Sequence, residues 1–240
     1  MTTKEFSDAF DTLLNSYNVP LTAGATPSIG GMVLDEYEKS LFLTQAQDQI
    51  VTELYTGRSN KVSSFEETEE LRSNLRSLIK TTKLEESTKD LKGISENSKF
   101  FDLPKDLLFI TYEFATIYDT NSGCKNGSEI LITPVTQDEF NKVINNPFKG
   151  TSKRRALRLD SDSNTIEVVS KYNIKDYTIR YLSKPAPIIL ANFNESSIDN
   201  VSINGLNTKT ECTLDSSVHH LILERAVALA LASRSTRSNK

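Results

Sequence analysis

The apolar positions of this chain recur at two different periods, and the switch between them divides it. Near the start, Phe6, Phe10, Leu13, Leu14 and Tyr17 return at helical intervals behind Thr2 and Glu5, which have capping-box spacing, so the pattern predicts a first amphipathic helix. A second helix is expected over 34–55, opening on the acidic pair Asp35 and Glu36 and stopping at Gly57. Its apolar residues fall on two sides: Leu34, Tyr37, Leu41 and Phe42 on one, and Leu43, Ala46, Ile50 and Leu54 roughly opposite. Such a helix needs more than one partner. Two readings stay open, a central helix within its own domain or a helix buried partly by another subunit, and the second makes Tyr37, Leu41 and Phe42 interface candidates. Ser64 and Glu67 cap an expected third helix over 65–80, carried by Leu71, Leu75, Leu78 and Ile79.

The stretch 81–99 is polar and charged, and reads as an exposed excursion with at most a weak helix over 84–91. From Phe100 the character becomes aromatic and β-branched, predicting one long or two bent strands over 107–118, a turn at 121–127 and a strand over 129–133. A short helix follows, with Thr136 and Glu139 as a capping box, Val135 and Phe140 as a hydrophobic staple, and Pro147 closing it. Leu157 and Leu159, then Ile166 and Val168, then Tyr177, Ile179 and Tyr181 alternate with mostly polar residues, as half-buried strands do. If these sets share one face, Leu159 opposes Ile166, residues 161–164 form a hairpin loop, and Arg158 sits opposite Glu167. Lys184, Pro185, Ala186 and Pro187 then end the sheet or confine the chain to an edge. Asn204-Gly205 marks a turn. Asp215, Ser216 and Ser217 offer caps to a last helix carrying Val218, Leu221, Ile222, Ala226 and Leu229. Irregular chain is expected at 19–31, and a frayed end at 233–240.

The fold class is α+β. N-terminal helices and the C-terminal helix form a discontinuous bundle (1–100 and 191–240), and 101–190 forms a mainly antiparallel β-sheet region with one inserted helix.

Composition changes this picture little. With 240 residues, 37% hydrophobic and 25% charged, the chain can bury a real core. The net charge of −4 argues against a dedicated nucleic-acid binder, which carries a basic excess. The opening MTTKEFSDAF lacks a signal-peptide pattern, and no apolar run approaches the roughly 18 residues of a membrane span. Cys124 and Cys212 lack metal spacing, and reduced thiols in a cytosolic setting are expected.

Candidate chemistry is thin. Asp160, Asp162 and Asn164 resemble the opening of a calcium loop, but Thr165 replaces the glycine and Lys171 the glutamate. His219 and His220 are adjacent and point about 100° apart on a helix, so they do not chelate together. No glycine-rich phosphate loop is present, and the sequence implies no enzyme, no cofactor and no metal. The one charge concentration is Lys149, Lys153, Arg154, Arg155 and Arg158. On an edge strand, Arg154, Ala156 and Arg158 would share a face and present guanidinium groups to carboxylates or phosphates. Three readings remain for it: a solvated face partly paired to Glu167, an acidic protein neighbour, or nucleic acid.

The segments FNKVINNPFKGTSKRRALRLD, IEVVSKYNIKDYTIRYLSKPAPIIL, VLDEYEKSLFLTQAQDQIVTELYTG and ECTLDSSVHHLILERAVALA together resemble a virion structural protein of crAss-like tailed bacteriophages. The resemblance implies a non-catalytic neck component, an adaptor or ring protein between portal and tail. It implies self-assembly as a twelve-subunit ring, assembly in the bacterial host cytoplasm, and genomic DNA passing through the channel without sequence-specific binding. Twelve copies at −4 each would carry about −48, which suits a bore through which DNA slides, because basic linings hold phosphates. The basic segment 149–158 is therefore expected to face a protein neighbour and not the bore. A packaging factor that binds nucleic acid through that segment is the alternative.

Overall fold

A computed structural model describes residues 1–17, 34–56, 73–89, 91–95, 97–118, 127–162, 164–193 and 201–235. The chain is α+β and separates into two units, Met1–Leu78 with Lys184–Lys240, and Ile79–Ser183. Helices α1 (Thr3–Tyr17), α2 (Glu36–Thr56) and α4 (His219–Ser235) belong to the first unit, and the short α3 (Phe140–Ile144) to the second. The expected connections at 19–31 and 121–126, residues 65–72 of the expected third helix, Cys124, and the terminal 236–240 lie outside the described residues.

In the first unit the initial capping box forms as the spacing predicts. Thr2 N donates to Glu5 Oε2 at 2.8 Å, and Glu5 N donates to Thr2 Oγ1 at 3.3 Å. Phe6, Phe10 and Leu14 then bury one stripe of α1 completely. A single 3₁₀ turn, Ser216–Val218, leads into α4, with Asp215 accepting from Ser217 N as its cap. Helix α4 packs on α2 and on α1, and its Ala226 and Ala230 are buried.

Helix α2 is organised differently from the amphipathic pattern. Its buried side is partly polar: Ser40, Thr44 and Gln47, on one face by their spacing, grip an extended backbone segment. Leu190 N donates to Ser40 Oγ at 3.0 Å, Ile188 N donates to Thr44 Oγ1 at 3.1 Å, and Gln47 Nε2 donates to Ala186 O at 2.8 Å. The prolines at 185 and 187 keep that segment out of helix and sheet, and side chains of α2 supply the partners its backbone then lacks.

The second unit holds strands β1 (Ile79–Leu84), β2 (Ser98–Asp102), β3 (Leu107–Ile117), β4 (Ser128–Pro134), β5 (Arg155–Asp162), β6 (Thr165–Val169) and β7 (Ile174–Ser183). Among the described residues they form one seven-stranded sheet in the order β1-β7-β3-β4-β5-β6-β2. Every pairing is antiparallel except β4 with β5, whose connection passes through α3, as a parallel pair requires. The sheet curls until its two ends meet. Ser87 N donates to Phe100 O at 2.8 Å and Asp102 N to Glu85 O at 3.3 Å, and Leu84, Phe101, Ala115, Ile130, Ala156, Ile166 and Tyr177, one from each strand, meet in a single interior cluster.

Several expectations are corrected by this topology. The third helix does not reach residue 80: helical turns at 73–78 give way to β1 at Ile79. The polar stretch 81–99 is an excursion only in its middle: its ends are 81–84 of β1 and 98–99 of β2, while the described residues of 85–97 are exposed or half-buried and form no helix. Strand β1 is largely exposed and carries Lys80 and Lys83, the composition by which a terminal strand avoids unwanted pairing, so it reads as loop in sequence. Thr136 and Glu139 do not form a capping box: Glu139 itself precedes α3 without a side-chain cap bond. Val135 and Phe140 do share a small apolar cluster, as the staple requires.

The β5–β6 register is also shifted. Leu159 pairs with Glu167 and Arg158 with Val168, Asp162 pairs with Thr165, and the leftover Ser161 is a bulge. Leu157 and Leu159 therefore face Phe140 outside the curl, while Ile166 and Val168 face the interior. Both sides of β6 are buried, so alternation in its sequence carries no information about which side is the core. Glu167 does not pair with Arg158; its Oε1 accepts from Ile94 N at 2.7 Å.

Candidate functional site

The basic segment divides into a buried part and an exposed part. Strand β5 lies between β4 and β6, so the face shared by Ala156 and Arg158 is the inner face of the curled sheet and not a solvent edge. Arg158 Nη1 donates to Glu113 Oε2 at 3.2 Å, with side chains only 13% and 7% exposed. Tyr177 donates its hydroxyl to the same carboxylate oxygen. Burial, followed by the neighbouring Glu113 charge, drives the Tyr177 phenol far above its ordinary value, so it remains a donor at any physiological pH. This trio is a charged knot inside an apolar barrel, and it removes Arg158 from the surface patch.

Lys149, Lys153 and Arg154 remain outside, exposed, and among the described residues their charged groups have no hydrogen-bond or ion-pair partner. Arg155 serves the loop beside them, donating from Nη1 to Phe148 O at 2.7 Å. Asn146 closes the same loop from the other end, its Oδ1 accepting from Phe148 N at 2.9 Å and from Lys149 N at 3.2 Å. Gly150 is required there, because a Cβ would lie 2.7 Å from Ile144 O and 2.9 Å from Asn146 O. The outcome is a pinned loop whose tip, Phe148, is 87% exposed. Reading charge alone missed this residue; the signal available was a lone aromatic bracketed by Asn-Pro and by Gly, residues that punctuate turns.

The three candidates on α2 part company. Tyr37 packs edge-on against Phe193, ring centroids 5.4 Å apart, within a cluster that includes Ile189 and Ile203. Phe42 is half-buried. Leu41 is 45% exposed and lines a cleft of about 610 Å³ beside Asp48, Glu53 and Ile203. Glu53 is already held by Arg225, Nη1 to Oε1 at 2.8 Å and Nη2 to Oε2 at 3.0 Å. Asp48 has no ion-pair partner at bonding distance among the described residues; burial raises its carboxyl above the usual value, and the field of Lys184 opposes that shift.

His219 and His220 diverge as their adjacency predicts. His219 is buried against Leu214 O and Met1 N, and His220 is exposed beside Glu224. Cys212 Sγ contacts Gln47 Oε1 at 3.3 Å, and burial pushes its thiol up, the reverse of an activated nucleophile. Among the described residues no group of three His, Cys, Asp or Glu side chains is placed to hold a metal ion, and no helix is long and apolar enough to cross a membrane.

The family model described as phage tail ring protein 3/4 matches residues 1–240. The chain is 47% identical over 235 residues to ring protein 3 of Bacteroides phage crAss001, covering 98% of this chain and 96% of that protein. It is also 34% identical over 240 residues to ring protein 4/5 of the same phage, covering 97% and 93%.

Proposed function

The chain belongs to the phage tail ring protein 3/4 family of crAss-like phages, and from that premise we propose that it is a non-catalytic subunit of a head-to-tail connector ring that adapts portal to tail and encloses part of the DNA passage. Copies of the chain close into a ring, twelve in number, within the neck of the virion, assembled in the host cytoplasm and stacked on the portal protein or on other ring proteins. The observation that carries this reading is the near full-length similarity to two different ring proteins of one phage. A net charge of −4 per copy suits a bore that must release DNA, since each phosphate held by a Lys or Arg adds a salt-sensitive contact.

Native mass spectrometry of the purified protein, alone and then with the portal protein, tests the adaptor reading. A monomer that becomes a ring on the portal supports it. A chain indifferent to the portal contradicts direct contact and moves the ring further down the tail.

The exposed Lys149, Lys153 and Arg154, without partners among the described residues, favour a second reading, a packaging factor that grips DNA through this loop. A duplex shift assay separates the two. The ring reading expects no retention at physiological salt; an affinity that falls steeply with salt and vanishes in a Lys149, Lys153 and Arg154 triple alanine variant supports the packaging factor.

A further inference from the structure

We propose that the Phe148 loop of one copy inserts into the α2 cleft of a neighbouring copy, and that this contact closes the ring; the proposal rests on the ring reading and adds the surfaces through which it is built.

Ring closure sets the requirement. A contact made by the same patch on both partners stops at a dimer, whereas a ring needs two unlike, complementary patches on every subunit. The chain carries such a pair. On the second unit, Phe148 stands 87% exposed on a loop fixed by Asn146, Arg155 and Gly150, so little ordering remains to be done when it binds. A rigid exposed aromatic is the kind of residue that anchors interfaces. On the first unit, an open cleft of about 610 Å³ exposes Leu41 and ends at Ile203, with Thr44, Gln45, Gln49 and Thr52 of α2 between them, and it has room for one aromatic ring.

Charge selects the orientation. Lys149 follows the aromatic directly and Lys153 and Arg154 come a few residues later, all exposed and without hydrogen-bond or ion-pair partners among the described residues. In the cleft, Arg225 already satisfies Glu53, which leaves Asp48, in the field of Lys184, as the half-buried carboxylate without an ion-pair partner at bonding distance among the described residues. A cation arriving beside Phe148 supplies it, and Lys149 is the residue next to that ring in sequence. A second copy therefore fits the cleft in shape and in charge.

The test uses two single variants of the full chain under the condition in which the wild type forms its ring, alone or on the portal protein. Phe148→Ala lacks the loop anchor but keeps the cleft; Leu41→Arg blocks the cleft but keeps the loop. Both residues are exposed, so circular dichroism and the denaturation midpoint are expected to match the wild type; if Leu41→Arg does not, Asp48→Lys replaces it. Neither variant alone is expected to build rings, with subunit affinity reduced at least about tenfold. Mixed together, they retain one intact contact and form a one-to-one dimer on native mass spectrometry. Phe148→Ala closing rings as the wild type does, or the mixture giving no dimer, overturns the contact and leaves the ring reading standing. A wild type that builds no ring under either condition overturns the ring reading, and the contact with it.

Discussion

Arg158 on β5 holds Glu113 on β3 at 3.2 Å inside the curled sheet, and the two are nearly sealed from water. Removing the cation leaves the Glu113 carboxylate buried with no cation at bonding distance among the described residues, held by the Tyr177 hydroxyl. Breaking a buried pair from one side costs about 3 to 5 kcal/mol. Arg158→Ala is therefore expected to lose about 3 kcal/mol in urea denaturation, whereas Arg154→Ala, on the surface, stays within about 0.5 kcal/mol of the wild type. Equal effects at the two positions would contradict the division of the basic segment into core and surface.

Thr44 supplies the second prediction. Its hydroxyl accepts from Ile188 N in a fully buried bond, so Thr44→Val, which keeps the shape, strands that N–H. A buried unsatisfied backbone donor costs about 1 to 3 kcal/mol. The variant is expected to lose that amount in denaturant midpoint and to speed amide exchange at Ile188. Unchanged exchange there would show that α2 does not hold the 186–190 segment.

Gly150 is needed for space and not for an unusual backbone angle. Gly150→Ala pushes a methyl into the carbonyls of Ile144 and Asn146, and overpacking of this kind costs about 1 to 3 kcal/mol. Because the same turn carries Phe148, the variant is also expected to weaken ring assembly by more than its loss of stability accounts for. A stable Gly150→Ala protein that assembles normally would argue against a pinned loop.

His219 gives a pH signature. Its Nε2 faces Leu214 O at 3.1 Å and must donate, so Nδ1 is the lone pair that accepts from Met1 N at 2.8 Å, an arrangement available only to the neutral ring. Burial, first of all, holds its pKa below the ordinary 6.5. The unfolded chain then takes up its proton at a higher pH than the folded chain. The contribution of His219 is full above about pH 6.5 and is lost as the pH falls toward the folded value. The denaturation midpoint is expected to fall between pH 7 and pH 5 in the wild type, and to fall less in His219→Gln. Parallel curves for the two proteins would contradict it.

Much of this fold could be read from periodicity, and the exceptions share physical causes. Helix α1 was legible because it buries an apolar stripe next to a recognisable cap, Thr2 with Glu5; α4 was legible by its Asp215 cap, but its stripe was misplaced, since Leu221 is 50% exposed while Leu223 and Val227 are buried. Asn204 and Gly205 were legible because both adopt positive φ, at 51° and 81°, which few other residues tolerate. Strand β1 was not, since Lys80, Thr81, Thr82 and Lys83 serve a lateral strand with little to bury. The role of Ser40, Thr44 and Gln47 was hidden because polar side chains that satisfy buried backbone look the same in sequence as polar side chains facing water. In the candidate site, charge drew attention to Arg158, which proves internal, and away from Phe148, whose exposure only the folded loop reveals.

A reconstruction of the virion by electron cryomicroscopy tests the central claim most directly. The account predicts a closed ring of copies of this chain around the tail axis, each Phe148 seated against α2 of the next copy. Copies absent from the axis, or present without contact to one another, would contradict it.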